Sequence, residues 1–218
     1  MKYILLLLFL PCVLHAQLFK AGIVTGLNLA QIDGDALAGY DKLGLNIGVM
    51  ADIYVADSWS VSIEILFAQK GASTGIFTNS LNNDPNTFGN PPYRWRWDYI
   101  ELPLLIHYND QNKMNFGVGI APARLVNALL IENGQKIDGW FEDDALPPRN
   151  PPSQWDIGGV ADISVDINYF MKINARIVYS LASVRADARS TRRNFTSRNN
   201  AASIRLIFLF SALGQKKV

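Results

Sequence analysis

The stretch from Leu43 to Val55, LGLNIGVMADIYV, alternates without a break. Its odd positions are Leu43, Leu45, Ile47, Val49, Ala51, Ile53 and Val55, and its even positions are Gly44, Asn46, Gly48, Met50, Asp52 and Tyr54. Period-2 alternation sorts these residues onto the two faces of a β-strand, whereas a helix would scatter them round its circumference. The run is also long. Strands of soluble domains usually hold about 5–6 residues, while a tilted membrane-crossing strand needs about 9–11.

The pattern recurs along the chain. In 59–70, Trp59, Val61, Ile63, Ile65 and Phe67 oppose Ser60, Ser62, Glu64, Ala68 and Lys70. Segments 155–166, 171–181 and 202–211 alternate in the same way, and 19–30 and 114–125 do so with more noise. With YIELPLLIHY at 99–108 the candidates number eight, an even count. One face is aliphatic and aromatic; the other carries charge and glycine. A soluble barrel turns the apolar face inward, and a membrane barrel turns it outward.

The connections favour the membrane. Ala56-Asp57-Ser58, the Asn109–Lys113 segment and Ile167-Asn168-Tyr169 are tight turns, while the gaps at 31–42, 71–94, 126–154 and 183–200 are long. Short turns at one end and long loops at the other predict an all-β fold, an eight-stranded antiparallel transmembrane β-barrel wound as an up-and-down meander. Its turns are periplasmic and its loops extracellular. Trp59, Trp97, Tyr108, Trp155 and Tyr169 lie near strand ends, where interfacial aromatic girdles belong. A soluble, lipocalin-like periplasmic barrel binding an apolar ligand is the alternative, with the faces exchanged.

The first residues fit an export signal. Lys2 precedes the apolar run Tyr3 to Leu14, and Ala16 stands at the expected cleavage end, which divides the chain into a signal peptide at 1–16 and a barrel domain at 17–218. Lipoprotein processing at Cys12 is a weaker fit, because Pro11 occupies the place of a small residue. Hydrophobic residues make up 49% of the chain. Beyond the leader they form no continuous apolar run of about 18, so the sequence indicates no transmembrane helix. A net charge of +1 gives no general affinity for nucleic acid.

In five segments, AGIVTGLNLA, SVSIEILFAQKG, YIELPLLIHY, FGVGIAPARL and the closing IRLIFLF, the chain resembles the PorT-type outer-membrane β-barrel domains of Bacteroidetes. That family is similar to the small barrels of the OmpA type, and most of its members have no assigned activity. Its name-giving member is associated with type IX secretion. The shared segments build wall, so the secretion role is not carried over to this chain. The polar GQKKV tail after the last aromatic departs from the family pattern.

The inward face collects Lys20, Asp52, Glu64, Lys70, Glu101, Asp156, Asp162, Asp166, Lys172, Arg176 and Arg205. Side chains just fill an eight-stranded barrel, so these charges are expected to pair into a polar plug. An ion path or proton relay is the competing reading. After cleavage His107 is the only histidine, and it sits at the turn end of its strand, where a lipid-modifying hydrolase would not want it. No catalytic, metal or cofactor motif emerges. The GVG at 117–119 reads as glycine in a crowded lumen, and the Asx-rich 79–90 as a loop rather than a calcium site.

Two loops differ in charge. Segment 183–200 holds Arg185, Arg189, Arg192, Arg193 and Arg198, and segment 126–154 holds Glu132, Asp138, Glu142, Asp143 and Asp144. Either the arginines grip lipopolysaccharide phosphates or an acidic partner, or the two loops neutralise each other. YRWRW at 93–97 suggests headgroup anchoring. The expected partners are outer-membrane lipid and lipopolysaccharide, the barrel-assembly machinery during insertion, and a protein at the extracellular loops; the barrel itself is expected to be a monomer. Pro103 has no amide to give a ladder, which predicts a bulge or a missing bond there.

Overall fold

The computed structural model describes residues 19–33, 39–73, 93–110, 112–132, 135–137, 152–186 and 196–210. The strands in chain order are β1 (Phe19–Asp33), β2 (Lys42–Ala56), β3 (Trp59–Ser73), β4 (Tyr93–Glu101), β5 (Leu104–Asn109), β6 (Met114–Glu132), β7 (Gln135–Ile137), β8 (Trp155–Asn168), β9 (Met171–Ser180), β10 (Arg185–Ala186) and β11 (Thr196–Phe210). β4 and β5 are two halves of one stave, since both pair with β3 and with β6. The wall therefore has eight staves: β1, β2, β3, β4/β5, β6, β8, β9 and β11. Every neighbouring pair is antiparallel, and β1 pairs with β11 from Ala21↔Phe210 to Asp33↔Arg198, which closes the ring. Closure leaves no stave with a free edge, as a sheet in lipid requires.

The faces are turned outward. Leu43, Leu45, Ile47, Val49 and Ile53 of β2 are exposed, while Asn46, Met50 and Asp52 are buried. The same division runs round the ring, with Ile204 of β11 70% exposed and its neighbour Arg205 at 0%. An apolar belt of this extent is stable only against hydrocarbon. The soluble-barrel alternative required the opposite facing and is excluded. On β3 the belt runs from Trp59 to Phe67, and the next outward residue is the polar Gln69. Nine residues cover about 30 Å of strand, which at a tilt of about 40° spans about 23 Å, close to the roughly 25 Å height of an outer-membrane apolar band.

The strands run further toward the loop end than alternation indicates. β6 continues to Glu132, β11 begins at Thr196, and the fourth stave begins at Tyr93. Above the membrane both faces meet water or a polar rim, so hydropathy contrast fades while the backbone ladder continues. Trp97 is corrected by this extension. It lies within β4 on the inward row opposite Lys70, fully buried, and takes no part in a girdle. Trp95 of YRWRW packs against the same inward cluster, and the motif's outward positions hold the exposed Arg94 and the half-buried Arg96. Trp59, Tyr108, Trp155 and Tyr169 do face outward, with Trp59 and Tyr108 in edge contact at 5.3 Å.

At Pro103 bonds are missing and the register is kept. Leu66↔Glu101 and Ile63↔Leu104 belong to one register, as do Glu101↔Ala123 and Leu104↔Ile120. Glu64 N donates to Pro103 O at 3.0 Å, and Leu102 N donates to Pro122 O at 2.8 Å. Neither proline can return the bond. The bulge of this region lies elsewhere, on β6, where Val126 is the extra residue between Asp98↔Asn127 and Tyr99↔Leu125.

Candidate functional site

The lumen is organised around Arg176 of β9. Its neighbours on the strand, Ala175 and Ile177, face lipid, and alternation sends its guanidinium inward. Arg176 Nη1 and Nη2 donate to Glu64 Oε2 and Oε1, both at 2.8 Å. Nε and Nη2 donate to Asp162 Oδ2 at 2.9 and 2.6 Å. Arg205 of β11 donates from Nη1 to Glu64 Oε2 at 3.0 Å and from Nε to Asn174 Oδ1 at 2.9 Å, with Nη2 3.6 Å from Asp162 Oδ2. Two carboxylates and two guanidiniums from β3, β8, β9 and β11 thus meet across the lumen. Buried charges are tolerated only when paired and hydrogen-bonded in this way.

His107 extends the cluster toward the turn end. Its Nε2 lies 3.0 Å from Asp162 Oδ1, its Nδ1 lies 2.8 Å from Ser62 Oγ, and the Ser62 hydroxyl also contacts Asp52 Oδ1. Serine, histidine and aspartate are the members of a hydrolase triad, here with the two ring nitrogens exchanged, since a triad serine meets Nε2 and its aspartate Nδ1. However, Ser62 is fully buried, its hydroxyl is held by Asp52, and the cavity beside it, bounded by Asp52, His107, Asp162, Lys172 and Arg205, has room for about one water. No substrate carbonyl fits there. Gly117 of β6 faces the His107–Asp162 contact so closely that a Cβ would strike both side chains.

The other predicted lumen residues surround this centre. Lys70 Nζ is 2.6 Å from Glu101 Oε1, both buried. Lys172 Nζ lies 3.7 Å from Asp52 and 3.6 Å from Asp166 at the lower end. Lys20 stands exposed at the lower rim, where its Nζ donates to the Tyr54 hydroxyl at 3.3 Å. Asp156 is buried without a cation among the described residues: Ser180 Oγ donates to its Oδ2 at 2.7 Å and Asn199 Nδ2 at 3.1 Å, while Oδ1 has no partner. Sequence reasoning missed Ser62, Asn174, Ser180 and Asn199. Each lies on an inward position, which alternation gives, but only the fold shows that they donate to or accept from the charges.

An apolar cap closes the loop end. Ile32, Ala72, Trp97, Tyr99, Ala123 and Val184 pack together in the mouth. Val184 is drawn down between β9 and β10, its N donating to Ser197 O at 2.8 Å and its O accepting from Ser153 N at 2.7 Å. Outside the wall at this level, Asp98 accepts from Gln69 at 3.0 Å, from Asn127 at 2.9 Å and from both Arg96 Nε and Nη2. This polar girdle sits where Gln69 ends the apolar belt.

Two of the five arginines of the 183–200 segment fall among the described residues. Arg198 lies in β11, within the wall, and Arg185 lies in β10; Arg189, Arg192 and Arg193 fall outside the described residues. Of the acidic set, Glu132 closes β6, and Asp138, Glu142, Asp143 and Asp144 also fall outside them.

A model of the outer membrane protein beta-barrel domain matches residues 15–185. The chain belongs to that family. It is a bacterial outer-membrane protein. Among solved structures, the family member described here is similar to Neisserial surface protein A (TM-score 0.47, 11% identity, covering 88% of this chain and 97% of the other). It is also similar to Ail of Yersinia pestis (TM-score 0.47, 10% identity, covering 88% and 98%) and to OprG from Pseudomonas aeruginosa (TM-score 0.37, 14% identity, covering 89% and 95%). No curated protein matches the chain in sequence.

Proposed function

We propose that this barrel is a closed, non-enzymatic scaffold that holds its loop end at the cell surface for interaction with other molecules. One observation carries the reading: Glu64, Asp162, Arg176 and Arg205 interlock across the lumen, all nearly inaccessible, beneath an apolar cap. An ion crossing this lumen would have to break several charge-assisted hydrogen bonds at once. The small cavity beside Ser62 supports the absence of hydrolysis in the same way. Membership in the PorT-type subgroup is part of this proposal, resting on the five wall segments. Lipopolysaccharide at the rim, the assembly machinery during insertion and a protein at the loops are the partners it implies.

Planar-bilayer recording of the purified protein tests the reading. A silent bilayer is the expected result. Steady single-channel steps, abolished or altered by Glu64→Gln, would overturn it and establish the lumen as a path.

A further inference from the structure

The lipid-facing wall is not uniform. Across β2, β1, β11, β9 and β8 it carries a depression of about 950 Å³ with a mainly apolar lining. Its floor holds the small residues Ala161, Ala175 and Ala202, and Ile177 and Ile204 stand beside them as ridges, 60% and 70% exposed. The register places Ile177 opposite Ala161 and Ala202, and Ile204 opposite Ala175, so knobs and hollows alternate from strand to strand. Five strands span about 19 Å. That is wide enough for several acyl chains side by side, and the depression reaches the loop end at Leu43, the second residue of β2.

A cation stands above it. Arg198 lies on the outward row of β11, four residues toward the loop end from Ala202, about 13 Å along the strand. Its guanidinium sits 5.8 Å from the centre of the Tyr179 ring, and its Nε is buried with no hydrogen-bond partner among the described residues. Asp33 is its register partner on β1, but the two form no ion pair, and Gln31 Nε2 donates to Asp33 Oδ1 at 2.6 Å. Asn200 and Tyr40, joined at 2.8 Å, add polar groups on the same rim. A guanidinium braced on an aromatic ring and unpaired with its register partner's carboxylate suits a phosphate.

We propose that this face binds one phosphorylated, multiply acylated glycolipid of the outer leaflet, its chains in the depression and a phosphate on Arg198. The inference deepens the lipid partnership named above and does not depend on the lumen being closed. A second copy of the chain is the poorer occupant. Two barrels in one membrane are parallel, so a twofold contact through this face would bring the two Arg198 guanidiniums to the same end of the interface. A two-chain phospholipid leaves much of the width unfilled.

The test titrates the full-length, detergent-solubilised barrel with three probes: bis-phosphorylated hexa-acyl lipid A, the same lipid dephosphorylated, and phosphatidylglycerol. Native mass spectrometry reads bound lipid, and gel mobility of unheated samples confirms that each variant is folded. Lipid A is expected to bind best, and Arg198→Ala to lose about tenfold in affinity for it, falling to the level of the dephosphorylated lipid. Ala175→Leu with Ala202→Leu fills the floor and is expected to weaken both glycolipids equally. Equal binding of phosphatidylglycerol, indifference to both substitutions, or a dimer as the lipid-free species would each overturn the proposal. Conductance in the bilayer assay leaves this result untouched, so the two readings fail separately.

Discussion

Glu64 is the residue on which the lumen most depends. It accepts two bonds from Arg176 and one from Arg205, at 2.8, 2.8 and 3.0 Å, and is almost wholly buried. Replacing it with leucine removes three charge-assisted bonds and leaves two guanidiniums sharing Asp162. Removing one partner of a buried ion pair costs about 3–5 kcal/mol, and the stranded second arginine places the expected loss at the upper end of that range. Glu64→Gln keeps the shape and one acceptor oxygen, so its loss is expected near half of this, about 2 kcal/mol. Pairing Glu64→Leu with Arg205→Leu removes the stranded charge and is expected to recover at least about 1 kcal/mol, since buried pairs are often replaceable by apolar residues. Urea unfolding in lipid vesicles, followed by tryptophan emission and by the mobility of unheated samples, measures all three. A Glu64→Leu protein as stable as the parent would refute the reasoning, as would a double variant weaker than the sum of its single changes.

Three further outcomes are expected. Gly117→Ala pushes a methyl against His107 and Asp162 and should cost about 1–3 kcal/mol in the same assay and shift the histidine NMR signals; parent-like stability and signals would refute the contact. Brominated lipids should quench Trp59 and Trp155, which are exposed, and spare Trp97; single-tryptophan variants measure this, and strong quenching of Trp97 would return it to the girdle. Pro103→Ala restores an amide opposite Glu64 O and should slow hydrogen exchange of the neighbouring β3 and β4 amides by about the worth of one bond, 1 kcal/mol or fivefold. Unchanged exchange would mean that the gap in the ladder is already filled.

The two faces of each strand were legible because alternation with period 2 sorts residues between them. Glu64, Arg176 and Arg205 fall on the face opposite Ile63, Ile177 and Ile204 by period alone; that this face is the inner one followed from the turn and loop lengths and was decided by the exposure in the closed ring. The sign and number of inward charges also required that they pair. Which charge meets which was not legible. Glu64 and Arg176 are 112 residues apart in sequence, and only the closure of β1 on β11 together with the stagger of the staves brings them within 2.8 Å. Trp97 was misplaced for a related reason: the strand it belongs to extends above the membrane, where hydropathy no longer alternates.

The sequence alone therefore determined eight staves, each with one apolar and one polar face, since alternation is a local property of a strand; the closed ring decided that the apolar face is the outer one. The tertiary structure decided the rest: the pairing of Lys70 with Glu101 and of Arg176 with Glu64 and Asp162, the Ser180 and Asn199 donors on Asp156, the Val184 cap and the hollow beneath Arg198. Those depend on the register between strands and on the shape of the closed ring, and the period of a single strand carries neither.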